Sequence, residues 1–171
     1  MFYKIVQAFG PESGEKWMKY LNWRGFHHLK CFDSVDGILR PDLFIPSTIE
    51  DWKHCLNEDY KTSLLSDLDY VARFKARLGE GTIVGVEIEL EKGYSPQNGI
   101  LGYDILDEYC SISLVTNCRF EPETIQPAIV QENGLIGNFD RAIEIRDLLR
   151  KEFPRDSHSA NCQVWAIYQP G

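Results

Sequence analysis

Three apolar segments in close succession constrain this chain more than any other feature. Thr82 to Glu91 alternates strictly, with Val84, Val86, Ile88 and Leu90 on one side and Gly85, Glu87, Glu89 and Glu91 on the other. That period belongs to a half-buried β-strand, whose successive side chains point to opposite faces. Ile100 to Leu106 and Cys110 to Thr116 follow, after the turn-rich run Gly93 to Gly99 and after Asp107-Glu108. Parallel neighbours need a crossover of about a dozen residues or more, and these connections are shorter. The three segments therefore predict an antiparallel meander.

Helical periods flank it. Leu64, Leu65, Leu68, Val71, Ala72 and Phe74 recur at helical spacing within Ser63 to Leu78, and Arg73, Lys75 and Arg77 load its C-terminal end. Cations are favoured there by the helix dipole. Ser47 to Glu50 has capping-box spacing, which predicts a helix to about Leu56 with Ile49, Trp52 and Leu56 on one stripe. Asn138 can cap a helix from Phe139 to Phe153, stopped by Pro154. A further helix is predicted over Glu12 to Trp23. Phe2 to Ala8, Phe26 to Val35 and Cys162 to Tyr168 read as strands, with Asp36-Gly37 turning a hairpin. The expected core includes Trp17, Trp52, Leu68, Val71, Val86, Ile88, Ile145, Leu148 and Trp165. The whole reads as one α+β domain over residues 1–171, a mostly antiparallel sheet of about 5–7 strands packed against about 3–5 helices.

Composition excludes several classes. The chain has 171 residues and a net charge of −8, and no apolar run is long enough to span a membrane. The N-terminus has no basic region ahead of an apolar stretch, so no secretory signal is expected. The five cysteines, Cys31, Cys55, Cys110, Cys118 and Cys162, are scattered and odd in number. They read as reduced packing residues of a cytoplasmic protein. Residues 80–140 hold eleven acids against only Lys92 and Arg119, while the rest of the chain is nearly balanced. A surface built from that block repels nucleic acid and anionic lipid and attracts basic proteins.

Motifs that carry chemistry are sparse. No GxSxG, HExxH or phosphate-binding glycine loop occurs, and no cofactor is expected. His28, Cys31, His158 and Cys162 could together supply four zinc ligands if the first hairpin neighboured the last strand. Core-facing cysteines and surface histidines explain the same residues more simply. His54 and Cys55 are adjacent on a predicted helix and diverge, so they cannot pair as base and nucleophile. Asp104, Asp107 and Glu108 flank a predicted turn and could pair as carboxylates for acid–base work or metal binding, although turns attract aspartate for local hydrogen bonding.

The strongest functional signal is the acidic strand. Three like charges on one face must be solvated or meet cations. The reading that follows is a non-enzymatic protein-binding module with a basic protein partner. Its surface would comprise Glu87, Glu89, Glu91, Tyr103, Asp104, Asp107, Glu108 and Tyr109, with tyrosine supplying the short-range contacts. In size, charge and aromatic content the chain resembles small acidic bacterial immunity proteins, which neutralise basic toxins. The likeness rests on those properties and on no motif. A small hydrolase or transferase using dispersed Cys, His and Asp residues, and a zinc-stabilised structural subunit, are the alternatives.

Overall fold

The fold is seen in a computed structural model, which describes residues 1–6, 19, 22–23, 25–28, 48–55, 64–79, 81–107, 113–115 and 127–170. Among these, four strands form one antiparallel sheet: β1 (Phe2–Val6), β2 (Thr82–Leu90), β3 (Ile100–Leu106) and β4 (Gln163–Tyr168). The helices are α1 (Ile49–His54), α2 (Leu68–Leu78) and α3 (Phe139–Glu152). The α+β class expected from the sequence stands, with four described strands rather than five to seven. No helix among the described residues is long and apolar enough to cross a membrane.

The strand order is β1-β2-β4-β3, so the expected meander is not formed. β2 and β3 are both antiparallel to β4, which lies between them. The reason is visible in β4 itself, where Val164, Trp165, Ala166, Ile167 and Tyr168 are all buried. A strand buried on both faces belongs at the centre of a sheet, and the turn-rich run after β2 is long enough to pass its end. Most of the expected strand Cys110 to Thr116 lies outside the described residues; Ser113 makes a single bridge to Leu106. Of the expected helix Glu12 to Trp23 only Lys19, Asn22 and Trp23 are described, and they are helical; Trp17, the hairpin around Asp36-Gly37 and the side chain of Trp52 lie outside the described residues.

Cross-strand partners point to the same face, so the register sorts the side chains. Tyr3 and Ile5 of β1 pair with Gly85 and Ile83 of β2. They pack with Tyr70, Val71 and Phe74 of α2 and with Leu65 and Cys55 in a small core. On the same face, Tyr103, paired with Ala166, meets Phe139 of α3. Both helices thus cover one side. The larger core joins α3 residues Ala142, Ile143, Ile145 and Leu149 to the sheet. Each of the isoleucine and leucine side chains stabilises the fold by about 1.5–3 kcal/mol when fully buried.

Local chemistry sets the helix ends. α2 starts at Leu68 rather than Ser63, because Asp67 accepts a hydrogen bond from the Tyr70 backbone N–H as N-cap. Leu64 and Leu65 are buried ahead of it, and Leu65 bridges both Tyr3 and Cys55. Gly79 closes the helix in the left-handed conformation. α1 is capped one residue later than expected, by Thr48 and Asp51 rather than Ser47 and Glu50. Asp51 turns inward to take the Tyr70 hydroxyl, which leaves Ile49 81% exposed instead of in a buried stripe. Asn138 caps α3 as expected, its side chain accepting from the Arg141 backbone N–H at 2.9 Å. Leu148 is 39% exposed, however, and Leu149 takes the buried position. Leu68 and Ile88 are half-buried, whereas Val71, Val86, Ile145 and Trp165 are buried as expected.

Candidate functional site

The acidic strand does not run straight. Glu87 pairs with Ala166 and Leu90 with Val164, so Ile88 and Glu89 together stand opposite Trp165 alone. That is a β-bulge, and it resets the alternation of faces. Glu89 takes the extra residue's place in a left-handed conformation, φ +56°. The expectation that Glu87, Glu89 and Glu91 share a face is therefore corrected, and the three meet different surroundings.

Glu87 is half-buried on the helix-covered face. Its carboxylate accepts the Tyr168 hydroxyl at 3.0 Å and the Gln97 side-chain amide at 3.0 Å. The Tyr94 hydroxyl also donates to it and lies against the Tyr168 hydroxyl. Tyr94 and Tyr103 flank Phe139, each with its ring centre 5.3 Å away, and exposed Asp140 follows Phe139. Burial pushes the Tyr168 phenol up to about 12, and the Glu87 carboxylate adds to that rise. Burial also raises Tyr103, with Asp140 and Glu87 contributing negative charge.

Glu89 is exposed. Glu91 lies 3.3 Å from the guanidinium of Arg146, a buried α3 side chain that also donates to the Leu90 carbonyl at 3.1 Å and to Asp147. Although burial opposes it, Arg146 and Lys92 hold the Asp147 carboxyl below its ordinary range. Arg146 thus ties α3 to the bulged end of β2.

Tyr103, Asp104 and Asp107 are buried, so the exposed surface expected to include them does not. Glu108 and Tyr109 lie outside the described residues. Asp104 Oδ1 accepts the Ser113 hydroxyl and the Ile105 backbone N–H, each at 2.8 Å. Asp107 Oδ2 lies 3.0 Å from Nδ1 of His158, in the turn after α3. The end of the sheet where β3 stops and β4 starts is therefore a polar cluster in its own right.

The four residues considered for zinc do not converge where they are described. His28 Nε2 donates to the Val130 carbonyl at 2.6 Å, and His158 Nδ1 faces Asp107. Cys162 is buried with its sulfur toward the Arg146 carbonyl, and burial pushes its thiol up to about 11. Cys31 lies outside the described residues. Among the described residues no three His, Cys, Asp or Glu side chains stand close enough together to hold a metal ion.

Sequence reasoning named Glu87 and Tyr103 but did not link them to Tyr94, Gln97, Phe139, Asp140 and Tyr168. Only the final strand's tyrosine, 81 residues from Glu87, carried any signal, and no local period links the two. No family model, curated protein or solved structure matches the chain.

Proposed function

We propose that the chain works as a protein-binding module, docking a basic partner against the acidic, tyrosine-bearing surface around Glu87. The observation that carries this reading is the half-buried Glu87 carboxylate, held by the Tyr94 and Tyr168 hydroxyls, with Phe139 packed on the Tyr94 and Tyr103 rings and exposed Asp140 next to it in the chain. An anionic group set among aromatic rings suits a lysine or arginine side chain, through charge and through the ring faces. Exposed Asp140 adds a second negative charge there, acting with Glu87 on the Tyr103 phenol. No bond is made or broken at this surface. An inhibitor or immunity-type role fits a small acidic protein that neutralises a basic one. A cytoplasmic setting goes with it, since Cys55 and Cys162 are free thiols. Nucleic acid is disfavoured as a partner by like charge.

The test uses an exposed charge that makes none of the Glu87 hydrogen bonds. Asp140→Lys leaves the Glu87 hydrogen bonds in place. Association with a captured basic partner, followed by surface plasmon resonance at low salt, should slow by about tenfold or more. Wild type and variant should converge as salt rises, because screening acts over about 8 Å at physiological ionic strength. Equal association rates at low salt for two folded proteins would remove the reading.

A further inference from the structure

We propose that the groove beside the C-terminal half of α2 receives the N-terminus of α3 from a second copy of the chain, so that two copies close into a two-fold dimer. The proposal rests on the reading that the surface around Glu87 docks a basic partner, and it names a second copy as that partner.

α2 and the start of β2 enclose an open groove of about 370 Å³, lined by Ala72, Lys75, Ala76, Gly79, Gly81 and Ile83. Its walls are apolar apart from Lys75. That side chain is half-buried, and its ammonium makes no hydrogen bond or ion pair among the described residues. Arg73 and Arg77 are exposed on the same helix. Residues 73–81 hold three bases against one acid, Glu80, which lies outside the described residues. This is a basic spot on a chain of net charge −8.

The last turn of α2 is also the negative end of its dipole. An occupant of the groove must therefore bring an anion for Lys75 and a positive helix end for that turn. A free acid brings only the first. The N-terminus of α3 brings both, because exposed Asp140 sits in its first turn. Arg141, the base beside it, is held by Glu144 at 2.7 Å.

The two patches are placed for a reciprocal contact. Ile83, Gly85 and Glu87 alternate along β2 on the face that both helices cover, so groove and acidic surface lie on one side of the sheet. Ile83 and Glu87 are about 13 Å apart at the usual rise of a strand. Between them, Met1 lies over Gly85, its sulfur 3.3 Å from where a Cβ would stand. Met1 is 44% exposed and Leu78, beside the groove, 36%. A two-fold axis through this apolar centre sets each copy's positive end on the other's negative end, as an isologous contact requires. The shared net charge opposes the approach of two copies, so the complementary ends must act at contact.

Sedimentation equilibrium of the purified full chain in the micromolar range tests the pairing. Wild type should be dimeric. Lys75→Glu and Asp140→Lys should each weaken self-association by about tenfold or more. An equimolar mixture of those two variants should associate as wild type does, because each reversed end then faces an opposite charge. Lys75→Gln, which keeps the fold without reversing the charge, should weaken association by a smaller factor, and Lys151→Glu, at the far end of α3, should not change it. A monomeric wild type overturns this inference alone, since the captured basic partner tests the Glu87 reading separately. A dimer that survives Lys75→Glu, or a mixture of the two folded variants that stays monomeric, overturns it as well.

Discussion

Glu89 shows what one residue can hide. A left-handed conformation costs a residue with a Cβ about 1–2 kcal/mol, and glycine adopts it without that cost. A glycine at this position would have marked the bulge in the sequence; glutamate extended the alternation and concealed it. Glu89→Val should therefore be about 1–2 kcal/mol less stable than Glu89→Gly in a urea melt, because a branched side chain tolerates φ +56° worst. Equal stabilities would mean that the bulge is elsewhere. Asp104 and Asp107 misled in another way. Aspartates beside a turn suggest solvent, and nothing near them in sequence announces Ser113 and His158 as the partners that satisfy them once buried. Burial also writes a pH dependence. The Cys55 and Cys162 thiols are pushed up to about 11, against about 8.5 in an unfolded chain. Between those values the folded protein keeps protons that the unfolded chain releases, so stability falls as pH rises through that window. Urea midpoints at successive alkaline pH values should decline, and replacing both cysteines by alanine should flatten that decline.

At the scale of elements, α3 was legible because its signals are local: a capping Asn138, a period of apolar residues and a stopping Pro154. Even there, the fine phase was not. Leu148 and Leu149 both fit the pattern, and only packing against the sheet decides between them. Leu149→Ala should cost about 2–5 kcal/mol, and Leu148→Ala under about 1 kcal/mol. A reversed order in denaturant melts would mean that the helix is rotated. Sheet edges are also settled by contacts that no local pattern reveals. Tyr3 and Leu65 exchange backbone hydrogen bonds of 2.7 and 2.8 Å along the outer edge of β1. Tyr103 and Ile136 do the same on β3, at 2.8 Å each way. Such coverage removes open edges that would pair with other chains. Gly102 lets the second contact form. Its φ is +146°, and a Cβ there would stand 2.7 Å from Leu135 Cβ and 2.9 Å from the Ile136 carbonyl oxygen. Gly102→Ala should lose about 2 kcal/mol or more, with the Tyr103 amide among the first to lose hydrogen-exchange protection. Unchanged protection would place Ile136 away from β3.

For the whole molecule, class was easier to read than topology. Alternation and short connections gave antiparallel strands, and these four are antiparallel. Their order depends on a segment far down the chain, and local spacing says nothing about where that segment inserts. The charge block has the same character: composition located it between residues 80 and 140, but folding decided which acids face water and which are consumed by tyrosine, arginine or histidine. Because β4 lies between β2 and β3 yet follows both in sequence, a ribosome-bound chain that ends at Asn161 holds two strands whose shared neighbour has not been made. Local hairpins cannot rescue it, and loop-closure entropy must be overcome before the central pairing rewards it. Until Tyr168 clears the exit tunnel, the nascent protein offers bare strand edges to chaperones, proteases and its own neighbours on the polysome.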